Sequence, residues 1–200
     1  MYHSRWLIKR KGKYGFRFRN YHTSIQMPNW CKGSLKLRGK SDDILRFFKE
    51  GLNVYKYKFD EQGNNISEVL DKSTWFKLDD DSLDPEYSHY DIWLNAIELY
   101  VEGTNRAFVI TDTVDEIVID KGDNVIAYCE VQQAWGFRVE DWEAISKEYN
   151  VDIRLYGIEC GFGFEDNIVI IDGKAELAES NNYGSYDGFV WNCPFPWIGG

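Results

Sequence analysis

Trp30 to Leu52 reads WCKGSLKLRGKSDDILRFFKEGL, and the change of period inside it decides the fold. Trp30 to Arg38 reads as a strand closed by Gly39. A helix follows at once. Ser41 suits its N-cap, and Asp42 and Asp43 suit the positive end of its dipole. Ile44, Leu45, Phe47, Phe48 and Leu52 then form one apolar stripe at helical spacing.

Working outward, the same alternation of types recurs. Asn53 to Tyr90 is polar and reads as irregular, with a turn at Gly63-Asn64-Asn65; Tyr87 to Leu94 allows a short helix. From about Ala96 the period becomes two: Ile97/Leu99/Val101, Phe108/Ile110, Ile117/Ile119 and Val125/Ala127/Cys129 read as strands. Gly103-Thr104-Asn105 and Lys121-Gly122-Asp123 read as hairpin turns between them. A second amphipathic helix spans about Val139 to Tyr149, with Val139, Trp142, Ile145 and Tyr149 on one face. Asp152 to Ile158 and Asn167 to Asp172 read as two more strands around Gly161-Phe162-Gly163-Phe164. Strand, helix, antiparallel strands, helix, strand is the order of a split βαβ unit. The expected fold is therefore α+β and ferredoxin-like, an antiparallel sheet with two helices on one face. Extra strands are inserted in the middle, and residues 1–26 form an N-terminal β-hairpin. The expected division is this basic, aromatic extension, a domain over 27–173 with an acidic insertion at 53–123, and an aromatic tail over 174–200.

Charge is spread unevenly along the 200 residues, whose net is −10. Residues 1–40 hold 11 Lys and Arg and no acid; the rest holds 12 basic against 33 acidic residues, a net of −21. Asp79 to Glu130 is the densest acidic stretch, with 14 acids against Arg106 and Lys121. Such asymmetry points to a charged partner, although a head folding back on an acidic body also accounts for it. Trp6, Ile8, Tyr14, Phe16 and Phe18 in the head, and Trp191 and Trp197 in the tail, are expected to dock on the body or on a second copy.

Several chemistries lack their motifs. The longest apolar run, Val125 to Cys129, is five residues, too short for a membrane-spanning helix. No apolar leader opens the chain, so a cytoplasmic protein with reduced thiols is expected. Cys31, Cys129, Cys160 and Cys193 form no C-x-x-C pair, which disfavours zinc-ribbon and thioredoxin-like sites. Cys31 reads as a core cysteine rather than a nucleophile. His89 near Asp84, Glu86 and Asp91 is a weak metal pattern, and Asp79-Asp80-Asp81 lacks the ligand alternation of a calcium loop. Gly161-Phe162-Gly163-Phe164 is not a phosphate-cradling loop. No catalytic, cofactor or metal site is expected.

Met27-Pro28-Asn29-Trp30-Cys31, then Leu35-x-Leu37-x-Gly39 and an amphipathic helix, resembles the opening of the YubB-type ferredoxin-like family of phages and plasmids. Ala134-Trp135, the helix to Tyr149, the strand Asp152 to Tyr156 and Gly161-x-Gly163-Phe164 resemble its second half. The family's Pro-rich segment after the A-W pair is replaced by Gly136-Phe137-Arg138, and its middle W-G-T-K-W-like motif has no counterpart. The resemblance implies a mobile-element origin and carries over no activity.

Three function classes are compatible with this sequence. The first is a non-enzymatic inhibitor of a host defence protein, such as a nucleic-acid-handling CRISPR effector. It would bind through acids that imitate a phosphate track: Asp79, Asp80, Asp81, Asp84, Asp112, Asp115, Glu116, Asp120 and Asp123. This reading ranks ahead of direct nucleic-acid binding by Lys9, Arg10, Lys11, Lys13, Arg17 and Arg19, interleaved with aromatics in the head. A metal-dependent enzyme around His89 ranks last. A homo-oligomer formed by head-to-body pairing is also compatible with the charge pattern.

Overall fold

A computed structural model gives the fold and describes residues 29–60, 62, 65–81, 88–111, 115–184 and 186–192. The expected N-terminal hairpin and the docking of its aromatics lie outside these residues, as do Trp197 and Cys193.

β1 (Trp30–Gly39) alternates strictly: Cys31, Leu35 and Leu37 are buried, while Lys32, Lys36 and Arg38 are exposed. α1 (Ser41–Glu50) buries Ile44, Phe47 and Phe48. Its N-cap is Lys40, with no side-chain cap. Ser41 is instead the first helical residue, and its amide donates to the Gly122 carbonyl at 2.9 Å. The helix stops at Gly51, so Leu52 belongs to a short strand, β2 (Leu52–Asn53), not to the helical stripe.

The segment read as irregular is largely strand. β3 (Tyr55–Phe59) and β4 (Asn65–Val69) pair as a separate ribbon. After a 3-10 turn at Lys72–Thr74, β5 (Phe76–Asp81) pairs with β6 (His89–Leu94). The possible helix at Tyr87 to Leu94 is thus β6, where Ile92 and Leu94 bury and the residues between them face out. β7 (Glu98–Val101) and β8 (Ala107–Ile110) form a hairpin around Gly103, whose φ of 79° suits a residue without a Cβ. β9 (Asp115–Asp120) pairs with β6, not with β10 (Val125–Ala134), so the turn at Lys121-Gly122-Asp123 joins two different sheets. α2 (Val139–Tyr149) follows, then β11 (Asp152–Glu159), β12 (Phe164–Ile171), β13 (Lys174–Asn182) and α3 (Tyr186–Asn192).

The main sheet has eight strands in the order β13-β12-β11-β1-β10-β8-β7-β2, every pairing antiparallel. Two small sheets, β3-β4 and β5-β6-β9, stand beside it. This overturns the ferredoxin-like expectation: the protein is mostly β, with three short α-helices among the described residues. The physical reason is that β3 to β6 arise in the polar segment read as irregular, and that β13, KAELAESNN, buries nothing fully and alternates only at Ala175 and Leu177. A polar edge of this kind blunts further strand addition.

The helices cover one face of the main sheet. Phe47 packs edge-on against Tyr149 at 5.5 Å, and Arg46 donates to the Glu148 carbonyl across the two helices at 2.8 Å. Trp142 and Phe47, both fully buried, close the core over Leu35, Leu37, Ile153 and Leu155. α3 lies on the opposite face, where Phe189 packs on Ile158. Trp191 does not dock on the body of its own chain, being 87% exposed; Phe189 takes the inward position of the helix there. No helix among the described residues is long and apolar enough to cross a membrane.

Candidate functional site

The acids sort themselves by strand parity. In the sheet β5-β6-β9, Ile92, Leu94, Ile117 and Ile119 point to the core. Their neighbours in sequence must then point outward. Register places Asp79 opposite Asp91, His89 opposite Asp120, and Trp93 opposite Glu116. Asp79, Asp91, Glu116 and Asp120 therefore share one outward face, with half-exposed Val118 in its middle. Acids two apart on a strand stand about 6.6 Å apart. Like charges directly opposite each other, as Asp79 and Asp91 are, cost the sheet stability. Part of that cost is offset locally: Lys77 lies 3.7 Å from Asp79, and His89 Nε2 lies 3.3 Å from Asp91 Oδ1.

Two other predicted acids, Asp80 and Asp123, stand off this face. Asp80 takes the opposite parity and forms an ion pair with Lys121. Asp123 sits in the turn after β9, on the rim of a cavity of about 450 Å3 also lined by Arg38, Lys40 and Lys147. Asp81 and Asp115 occupy register positions opposite His89 and Leu94. Asp84 and Asp112 lie outside the described residues, as do Lys9, Arg10, Lys11, Lys13, Arg17 and Arg19. Asp91 was missing from the expected set; the alternation of His89 to Leu94 around Ile92 and Leu94 was the signal that could have found it.

Of the residues that carry the family resemblance, Asn29, Trp30, Ala134 and Trp135 meet at one corner of the main sheet. Trp135 donates its amide to the Asn29 carbonyl at 2.8 Å, and Trp30 stands opposite Ala134. Trp135 holds a φ of 70°, a left-handed conformation costly for a bulky residue, and is 48% exposed. Asp166, buried, accepts from the Phe137 amide at 2.9 Å and lies 3.8 Å from Cys31 Sγ. Burial pushes the Asp166 carboxyl up from its ordinary value, while the Phe137 amide pulls the other way. Burial, then the nearby Asp166 and Glu159 carboxylates, push the Cys31 thiol far up. A thiol held protonated is inert as a nucleophile. Glu159, also buried, accepts the Gly161 amide at 2.7 Å and the Phe162 amide, closing the turn between β11 and β12.

Among the described residues no three His, Cys, Asp or Glu side chains are grouped so as to hold a metal ion. Compared with protein families, curated proteins and solved structures, the chain matches none. The mobile-element origin implied by the resemblance, and the defence-related role read from the acids, therefore gain no relative to rest on.

Proposed function

We propose that this protein is a non-catalytic binding protein that docks on the cationic surface of a partner protein, of the kind that holds nucleic acid, through the outward face of β5-β6-β9. The observation that carries this reading is the placing of Asp79 directly opposite Asp91, with Glu116 and Asp120 on the same face. A fold has no need of that arrangement and pays for it in cross-strand repulsion. Val118, 53% exposed, and half-buried Trp93 give the face an apolar centre with an acidic rim, which is the anatomy of a protein interface.

Affinity capture from cell extract, followed by a salt series on the purified pair, tests it. Binding is expected to weaken as salt rises, because rim charges are screened beyond about 8 Å at physiological ionic strength. Replacing Asp79, Glu116 and Asp120 together by Lys is expected to abolish the complex, since facing like charges cost several kcal/mol. A partner held equally well by the reversed protein at every salt concentration refutes the reading.

A further inference from the structure

The face of the main sheet opposite the two long helices carries a different chemistry. Trp30, Lys32, Ser34, Lys36 and Arg38 of β1 all point to it, since Cys31, Leu35 and Leu37 point to the core. Register sets Tyr128 beside Lys36 on one side and Arg154 beside it on the other. Arg38 is committed to Asp152, at 2.5 Å. Lys32, Lys36 and Arg154 are exposed, and among the described residues none lies within ion-pair distance of a carboxylate. Lys32 and Lys36, four positions apart, stand about 13 Å from each other along the strand.

Aromatic rings accompany these cations. Trp30, Phe108, Tyr100 and Tyr55 form an edge-to-face series across four strands, with centroid separations of 5.8, 5.5 and 5.5 Å. Arg106 stacks over the outer end, 5.5 Å from the Trp30 ring centre. Tyr128 is 56% exposed, with its ring in water. A groove of about 650 Å3 runs between Lys32, Lys36, Tyr128 and Tyr156. Its one carboxylate beside β1 is Glu130, opposite Ser34; Glu98, farther out, accepts from Gln132.

We infer that this sheet face binds a single-stranded nucleic acid, with Lys32, Lys36 and Arg154 meeting phosphates and Tyr128 stacking on a base. Charge complementarity selects the ligand: cations with no ion-pair partner among the described residues, beside the exposed Tyr128 ring, answer a flexible polyanion that carries its own rings. A duplex hides its base faces and offers nothing to Tyr128. Exposed acids more than a Debye length away are largely screened. Glu130 and Glu98 in the groove, Glu116 beside Tyr128 and Glu165 on the Tyr156 hydroxyl lie nearer, and they weaken without cancelling the pull of Lys32, Lys36 and Arg154 on a phosphate held against them. The site adjoins the acidic face of β5-β6-β9, since Tyr128 and Glu116 line one cavity of about 260 Å3, but its cations stand on β1 and β11 and it stands whether or not that face binds a protein.

Fluorescence anisotropy of a short labelled oligothymidylate with the full chain tests the inference. The strand is expected to bind more tightly than a duplex of the same length. Three phosphate contacts give a salt slope near −2, or roughly a twentyfold loss of affinity between about 50 and 200 mM salt. Tyr128→Ala is expected to weaken binding about fivefold or more. Lys32→Gln, Lys36→Gln and Arg154→Gln together are expected to flatten the salt slope. All four positions are exposed, so an unchanged melting curve separates lost binding from lost fold. Absence of strand binding at the lowest salt overturns the inference. So does binding that both variants leave intact, or equal binding of duplex and strand that Tyr128→Ala does not change.

Discussion

Replacing Gln133 by Leu is expected to destabilise the protein out of proportion to the change in shape. Gln133 is fully buried on β10, and its amide has no spare capacity. Its nitrogen donates to the Asn105 carbonyl at 3.3 Å and to Asp141 Oδ2 at 3.1 Å. Its oxygen accepts from the Arg138 amide at 3.2 Å and from the Trp142 indole at 2.9 Å. These four bonds use both donors and both lone pairs of the side chain. They fix the start of α2 to the sheet and to the turn between β7 and β8. Leucine fills similar space and answers none of them. Asp141 keeps the Asn105 amide, at 2.7 Å, and so is not stranded. Trp142, with no exposure at all, cannot turn its N–H to water. A stranded buried donor costs about 1–3 kcal/mol, and the weaker losses at Arg138 and Asn105 bring the expected total to about 2–4 kcal/mol. Urea unfolding followed by circular dichroism measures it, alongside Trp142→Phe and the double variant. Removing the indole N–H should hurt less once Gln133 has gone, which gives a coupling of about 1–2 kcal/mol. A loss below about 0.5 kcal/mol for Gln133→Leu, or single effects that add within about 0.5 kcal/mol, refutes the reasoning.

Two further outcomes follow from the same corner of the fold. A Cβ on Gly33 would meet the Tyr156 carbonyl oxygen at 1.9 Å and Gly157 Cα at 2.5 Å, both backbone atoms of the paired strand. Gly33→Ala must therefore part β1 from β11, at a cost of about 3 kcal/mol or more. Thermal melting should fall by about 6–12 °C, and an unchanged midpoint would contradict the close approach. Asp166, with its carboxyl raised by burial, binds a proton in the folded state at a pH where the unfolded chain has released it. The folded protein then holds more protons than the unfolded one, so stability falls as pH rises from the ordinary carboxylate value of 3.8 through the raised one. Asp166→Asn should flatten that descent in a pH series of unfolding midpoints; an identical slope would show that Asp166 does not cause it.

The sequence by itself determined the elements whose period reports their own burial. Ile44, Phe47 and Phe48 mark α1, Trp142, Ile145 and Tyr149 mark α2, and the alternations at β1, β7, β8 and β10 mark half-buried strands. It also placed Cys31 in the core and the turn at Gly103. Tertiary structure alone decided how these pieces pair. β13 is a polar edge strand, held by backbone bonds to β12 that leave no trace in side-chain type. β9 precedes β10 through a good hairpin turn, yet pairs with β6, because Ile117 and Ile119 share a core with Ile92 and Leu94. That choice splits the acidic run: it faces Asp79 with Asp91 and sends Asp80 to Lys121. The cationic and aromatic face arises the same way, since Lys36, Tyr128 and Arg154 are far apart in the chain and adjacent only through register. Periodicity encodes which way a residue points, a property of its own strand. What it points beside depends on contacts between distant segments, which no local pattern records.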